Sequence, residues 1–490
     1  MLRRFKQALA AILLAAAAVR LLRVGHFSYG LDEILQAYWI NGAWDFFWRS
    51  LRFDGFHPPL DYLVAKLIET LHPTDAMRKI PAVVWGVCTV GVFGIFLARR
   101  AGRAAGLTAA CLLALAPFHV RFSQELRPYS LGLFLMCLSL LSMDAYLDRP
   151  SAPRLAALFL ACLATAYALY LAAAVLALAA AALLADDALS GDLLRRRSAH
   201  RFLAWSPVFI GALWVAYLPW WPIAVAAARR PPLAPPVPLS LSRTDRILSY
   251  FAFAPDDGYR LGASGLLFLA LAAVGAGLAV RRPGLRFLVA WSIGGLAFVE
   301  LLGRLHPHFD VSRRFLPAGA GLVALVSLPL AELLRRPVTR LAGASLLAVI
   351  LVLDARSLVV YFREGRADWR PLADFLRREA APSERIFTEN QYSQLCVAFY
   401  LVGPQWLSRE TGEGGRTSRP VLNLDGEIVR LTWSWKPGER AWLVLAGEPR
   451  REELRKWAER FPGFSFPRAE GAVLRRLDPA LRTEALGMPR

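Results

Sequence analysis

The sequence predicts an all-α polytopic membrane bundle of about eleven transmembrane helices, with interfacial helices in the first outer loop and a small C-terminal α/β extracytoplasmic domain. Three observations lead there. Apolar runs recur at the length that crosses a bilayer, about 17–25 residues. Short basic clusters fall between those runs: Arg3–Arg4–Lys6, Arg99–Arg100–Arg103, Arg195–Arg196–Arg197, Arg281–Arg282–Arg286 and Arg335–Arg336–Arg340. Past Tyr361 the long apolar runs stop and the composition changes. With 56% hydrophobic residues and a mean hydropathy of +0.39, the 490-residue chain is too apolar for a soluble protein.

Hydropathy places spans at 5–24, 80–98, 104–118, 129–147, 202–225, 261–280, 287–302, 315–334 and 341–361. Residues 153–184 are too long for one helix and divide into two spans near Tyr167–Tyr170. Alternation then puts every basic cluster on one side, which the positive-inside rule makes the cytoplasm, with the N-terminus there too. Asp32–Glu33, segment 119–128, the Pro-rich loop 229–259, the loop 304–314 and the tail fall on the other side. The basic start and first apolar run resemble a signal peptide. No clear small-x-small cleavage site precedes the acidic pair, with Ala15 to Ala18 the nearest candidate, so a retained first helix is expected.

The net charge of +20 is a loop property of a membrane protein, not a nucleic-acid-binding surface. Of five cysteines, Cys88, Cys111, Cys137 and Cys162 lie in apolar helices and Cys396 stands alone in the tail; there is no disulfide framework or CxxC motif. The domains read as 1–361, a membrane bundle whose first outer loop covers 25–79, and 362–490, the extracytoplasmic domain. In that loop, Ile34 to Trp48 carries Trp39, Trp44, Phe46, Phe47 and Trp48, a belt suited to a helix lying in the interface. Pro59 to Leu71 is half a span long and holds Asp61 and Lys66, so it reads as interfacial or re-entrant. In the tail, Leu372, Phe375 and Leu376 share a helix face. Residues 385–388, 442–445 and 472–474 read as strands, and 452–461 as an amphipathic helix.

Four clusters carry the chemistry. Asp32 and Glu33 follow the first apolar helix, where acids are costly near lipid; they serve either as functional acids or as first-turn acids of the next helix. His57–Pro58–Pro59–Leu60 offers a histidine able to orient a carboxylate, bind phosphate or ligate a metal, or else to cap a loop. Arg121 to Tyr129 brings Arg121, Gln124, Glu125, Arg127 and Tyr129 to the outer mouth of the bundle, as a phosphate fork or a salt-bridged loop. His306–Pro307–His308–Phe309–Asp310 precedes Arg313 and Arg314, cations on the wrong side of the membrane that an anionic ligand would explain. The His306/His308 spacing invites a metal, with His57 a further candidate. Apart from Asp310, no acidic or Cys partner stands at metal spacing, so no cofactor is required and a divalent metal stays an open alternative. Acids that take a proton and arginines that hold a leaving phosphate amount to group transfer from a phosphorylated carrier.

Taken in order, these motifs resemble the C-type membrane glycosyltransferases, in the branch of the protein O-mannosyltransferases (glycosyltransferase family 39) and the lipid A aminoarabinose and galacturonic-acid transferases. The resemblance covers about residues 2–369 and rests on Asp32–Glu33, His57–Pro58–Pro59–Leu60, Arg121 to Tyr129, Arg314 to Pro317 and Asp368–Trp369–Arg370. It implies an inverting transferase that moves a hexose or pentose from a polyprenyl phosphate to an acceptor hydroxyl on a lipid, glycan or protein, outside the cytoplasmic (inner) membrane. It further implies Asp32 as general base, Glu33 as positioning group for Asp32 or the sugar, and Arg127, Arg121 and one of Arg313 or Arg314 on the departing phosphate. Where many lipid A transferases have Lys–Pro, this chain has His57–Pro58. Other readings are a transporter or flippase of lipid-linked sugars, an assembly or receptor protein with an outer domain, and an oligosaccharide ligase. The absence of internal repeats weighs against the transporter.

Overall fold

The computed structural model describes residues 2–230, 248, 251, 263–305, 312–364, 369–379, 385–388, 391–403, 421–423, 441–446, 468–469 and 472–477. The chain divides into two compact units, Met1–Val24 with Leu51–Glu364, and Gly25–Ser50 with Gly365–Arg490. The segment carrying Asp32 and Glu33 therefore groups with the tail.

In chain order the helices are α1 (Leu2–Leu21), α2 (Leu31–Asn41), α3 (Trp44–Asp54), α4 (Leu60–Glu69), α5 (Asp75–Ala101), α6 (Arg103–Leu115), α7 (Pro117–Phe122), α8 (Tyr129–Asp148), α9 (Ala152–Ala168), α10 (Tyr170–Ala188), α11 (Leu193–Tyr217), α12 (Trp221–Ala228) and α13 (Ala263–Arg281). Next comes α14, which joins Phe287–Val289, a π-helical turn over Ala290–Gly294, and Gly295–Leu305. A 3₁₀ turn (Ser312–Phe315) leads into α15 (Leu316–Arg335), then α16 (Arg340–Glu364), α17 (Trp369–Glu379) and α18 (Gln391–Val402).

A helix occupies each segment expected to span. Among the described residues, six helices are long and apolar enough to cross a membrane, or seven with α11 and α12 as one broken span. Helices α6 and α9 and the α14 segment are apolar but shorter, and α1 carries Arg3, Arg4, Lys6 and Arg20 along its length. This is a helical membrane protein.

Several boundaries differ from expectation for local reasons. The Thr74 hydroxyl accepts the Met77 N–H and starts α5 five residues before Ile80. The Asp192 carboxylate caps Leu194 and Arg195 and starts α11 early. The expected straight helix over 202–225 bends by 84° between α11 and α12, where Pro222 occupies the first turn of α12. The aromatic stretch 34–48 is two helices parted at Gly42, and in α2 the residues Gln36, Ala37, Tyr38, Trp39 and Ile40 are buried rather than displayed to lipid. The break between α9 and α10 falls at Leu169, inside the stretch the sequence marked.

In the first unit, α15 is the central helix, with every residue from Leu316 to Ala331 buried. Small residues let neighbouring helices approach: a Cβ on Gly106 would stand 2.4 Å from the Gly94 carbonyl, so α5 and α6 meet backbone to backbone. One end of the bundle is tied by an ion-pair network. Asp144 near the end of α8 holds Arg100 at 2.6 Å and Arg195 at 2.9 Å, and Arg100 also holds Asp187 at 2.7 Å. Asp186 accepts the Gly284 N–H at 3.1 Å, and Arg282 reaches Glu332 at 3.0 Å. Four of the basic clusters therefore meet at one end of an up-and-down bundle.

In the second unit the tail holds a five-stranded sheet in the order β2-β1-β3-β5-β4. Strand β1 (Arg385–Thr388) runs parallel to β2 (Val421–Asn423) and β3 (Ala441–Ala446). Strand β5 (Ala472–Leu477) is antiparallel to β3 and to β4 (Arg468–Ala469), with Leu443 opposite Arg475. Three strands fall where the sequence placed them; the expected helix at 452–461 lies outside the described residues. Helix α17 buries Trp369, Leu372, Ala373 and Leu376, a helical stripe, while Phe375 is half-buried. Helix α18 buries Leu395 to Phe399 and anchors α2. The Tyr400 hydroxyl accepts the Tyr29 N–H at 2.7 Å, and the Phe399 ring meets those of Tyr29 and Tyr38 at 5.7 and 5.3 Å. Trp369 N–H donates to Ser28 Oγ at 3.2 Å, and Arg370 donates to the carbonyls of Gly25 and His26.

Candidate functional site

In the first unit an open pocket of about 430 Å³ is lined by Phe56, His57, Tyr129, Leu169, Tyr170, Leu171, Arg313 and Arg314. Three helices, α8, α10 and α15, begin at or beside this lining, so their positive ends add to the arginines.

The loop between α3 and α4 brings in His57, and its shape is imposed from outside. Gly55 has φ +62°, and a Cβ there would stand 2.9 Å from the Ala227 Cβ of α12. The Tyr170 hydroxyl donates to the Gly55 carbonyl at 3.0 Å and accepts the Trp220 indole N–H at 2.8 Å. Arg230, just past α12, donates to the Asp54 carbonyl at 2.8 Å and to that of Phe53. Its guanidinium lies 5.3 and 5.4 Å from the Phe53 and Phe56 ring centres. Pro58 and Pro59 then set the start of α4.

Arg127 stands behind the lining. It is 6% exposed, donates to the Tyr62 hydroxyl at 3.1 Å and lies 6.0 Å from the Tyr129 ring centre. Arg313 reaches the same ring at 5.8 Å. The 3₁₀ turn bearing Arg313 and Arg314 is held where the Trp291 indole donates to the Pro317 carbonyl at 2.9 Å, a reach that the π turn of α14 allows. The His57 ring meets Tyr62 at 6.4 Å and Tyr129, edge-on, at 6.1 Å. Its Nδ1 is shielded from solvent and has no hydrogen-bond partner among the described residues.

Burial, then the charges of Arg127, Arg314 and Arg313, push the His57 imidazole well below its ordinary range, so it is neutral at physiological pH. Burial holds the Tyr62 phenol well above its usual range, against the pull of Arg127, so it stays protonated. Two guanidiniums in the wall, a third behind it and a neutral imidazole have the charge and hydrogen-bonding groups that can meet a phosphate-like anion.

Of the residues singled out by sequence, His57, Tyr129, Arg313 and Arg314 line this pocket and Arg127 supports it. Arg121 does not line it; it faces Glu125 at 3.5 Å. Gln124 acts as a bundle strut. Its amide donates to the Arg20 and Leu22 carbonyls at 2.8 Å and accepts the Tyr361 hydroxyl at 3.1 Å. Asp32 and Glu33 sit in the first turn of α2 in the second unit. Glu33 is 2% exposed and accepts the Gly30 N–H at 3.0 Å, capping its own helix, while Asp32 is partly exposed. His306 and His308 lie outside the described residues. Among the described residues no three His, Cys, Asp or Glu side chains gather as a metal site.

Sequence reasoning did not assign a site role to Phe56, Tyr62, Tyr170, Trp220 or Arg230. It also passed over Arg20, fully buried near the end of α1, which donates to the Ala114 carbonyl at 2.8 Å and bonds the His119 Nδ1 at 2.6 Å. A lone arginine closing an apolar span was the available signal.

No family model and no curated protein matches the chain. Among solved structures, ArnT from Cupriavidus metallidurans bound to undecaprenyl phosphate aligns with TM-score 0.58 at 14% identity, covering 98% of this chain and 99% of that one. The same protein in its apo state gives 0.57 at 14% identity, covering 96% and 98%. The Archaeoglobus fulgidus oligosaccharyltransferase, in complex with Zn and sulfate, gives 0.46 at 13% identity, covering 80% of this chain and 61% of that one. Along nearly its whole length, this chain has the fold of ArnT from Cupriavidus metallidurans.

Proposed function

We propose that this chain is an inverting glycosyltransferase that moves a sugar from a polyprenyl-phosphate carrier to an acceptor hydroxyl at the outer face of the cytoplasmic membrane. The observation that carries the proposal is the gathering of Arg313, Arg314 and His57 around one pocket, backed by Arg127. Cations on the outer ends of apolar helices need an anionic ligand, and a carrier phosphate is one that a membrane supplies. The shared fold supports the choice, since ArnT was solved with undecaprenyl phosphate bound.

In this reading Asp32 takes the proton of the acceptor hydroxyl as its oxygen attacks the anomeric carbon. The bond from that carbon to the phosphate oxygen breaks in line, and the configuration inverts. The leaving phosphate carries its electron pair away as a monoester, with Arg313 and Arg314 meeting the growing charge and Arg127 reinforcing them. Glu33 holds the first turn of α2, which carries Asp32. The reaction draws on side chains alone, without a cofactor. The basic end of the bundle, with the N-terminus, faces the cytoplasm, and the tail lies outside.

The test is Asp32→Asn in liposomes with carrier-linked sugar. Transfer falls to background while insertion and carrier binding persist; full activity in that variant removes the base assignment.

A further inference from the structure

We infer that the pocket takes up one proton at His57 each time it binds a phosphate monoester, so that the chain distinguishes spent carrier from sugar-loaded carrier by charge. This rests on the reading of the pocket as the carrier-phosphate site.

Groups from several elements face the imidazole. Arg313 and Arg314 come from the 3₁₀ turn before α15, Arg127 from the turn before α8, Tyr129 from α8, Tyr62 from α4 and Tyr170 from α10. The nearby acids are Asp54 and Asp61, both close enough to bear on Tyr62. Cations dominate this set, and the Nδ1 has no partner among the described residues. A lysine in this place would be charged before any ligand came. A histidine here is held neutral by burial and by the three arginines until an anion offsets them.

The two ligands of the reaction differ in charge. A sugar-loaded carrier is a phosphodiester with one negative charge. The spent carrier is a monoester whose second proton is lost near pH 6, so it carries close to two charges at neutral pH. During transfer the acceptor proton goes to the base and the phosphate gains a charge, leaving the pocket one charge short. A proton from water onto the His57 Nδ1 restores the balance and gives the phosphate a charged hydrogen bond. The sign follows. An added anion raises the His57 pKa from its depressed value, so binding and proton uptake are linked and affinity falls as pH rises.

The experiment is calorimetric titration of the full chain in nanodiscs with farnesyl phosphate at pH 7.5, in Tris and in HEPES, whose ionisation enthalpies differ. Inorganic phosphate forms a second arm. The expected result is uptake approaching one proton per farnesyl phosphate, with affinity falling about tenfold per pH unit between the free-state and bound-state pKa of His57 and levelling off above the latter. His57→Gln removes the uptake. His57→Lys, charged in advance, binds without uptake and keeps the site occupied should the glutamine variant bind weakly. The same uptake with inorganic phosphate, at weaker affinity, assigns it to the phosphate group itself. Uptake unchanged in both variants, or uptake with inorganic phosphate and none with farnesyl phosphate, overturns the inference. Binding without uptake in the unmodified protein overturns it and leaves the carrier reading intact. Failure to bind farnesyl phosphate at all overturns both.

Discussion

Arg313 and Arg314 stand side by side in the turn that leads into α15. Cations at the outer ends of apolar helices cost free energy unless something anionic meets them. The structure gives them a shared pocket with His57, and Tyr129 joins Arg313 to Arg127 through its ring. Arg121 was singled out as a phosphate fork in the 121–129 block but is engaged with Glu125. This separates their variants. Arg313→Ala or Arg314→Ala removes a charge-assisted hydrogen bond of about 1.5–3 kcal/mol. Carrier affinity measured by titration with undecaprenyl phosphate then falls roughly tenfold to hundredfold. Arg121→Ala leaves it within about twofold, since a pair with one exposed partner is worth under about 1 kcal/mol. For Glu33 the sequence offered two roles, and the hydrogen bond from Gly30 supplies the capping one.

At the scale of elements, periodicity and length found the helices, and composition found the break at Leu169. The bend between α11 and α12 was not legible, because hydropathy does not register a change of direction within an apolar run. That bend matters for the site, since α12 and the residues around it hold the loop bearing His57. Tyr170 and Arg230 donate to backbone carbonyls far away in sequence, with Trp220 donating to the Tyr170 hydroxyl, and no local pattern marks such partners. Gly55 is the test position. Gly55→Ala places a side chain at positive φ against α12, at a cost of about 1–2 kcal/mol. The expected outcome is a lower melting temperature and weaker carrier binding with helix content retained. Tyr170→Phe, which removes one hydroxyl, weakens binding in the same direction. Unchanged binding in both would show that the loop does not depend on its braces.

At the scale of the whole molecule, the positive-inside clusters indicated which helix ends meet, and the ion-pair network bears this out in atomic detail. The acids that complete it were not legible. Asp144 and Asp187 sit inside apolar helices, and their partners arrive from two other chain segments, the end of α5 and the start of α11. Asp144→Ala removes the buried carboxylate that Arg99, Arg100 and Arg195 share, leaving the buried Arg100 with Asp187 alone, and costs up to about 3–5 kcal/mol. Thermal unfolding in detergent checks this, and a change under about 1 kcal/mol would show the network to be incidental. The contact grouping of the chain differs from the division drawn from composition. The sequence places residues 25–79 in the first outer loop of the bundle, whereas Gly25–Ser50 packs with the tail through Tyr29, Tyr38, Phe399 and Tyr400. Aromatic residues in the loop signalled a buried surface, but composition cannot distinguish a lipid surface from α18. The account as a whole is tested most directly by profiling lipid-linked sugars in membranes of a deletion strain carrying either the unmodified gene or Asp32→Asn. It predicts a carrier-linked sugar that accumulates in the deletion, stays high with Asp32→Asn and returns to baseline with the unmodified protein. A deletion strain whose carrier-linked sugars are unchanged, or an Asp32→Asn protein that restores them, would contradict it.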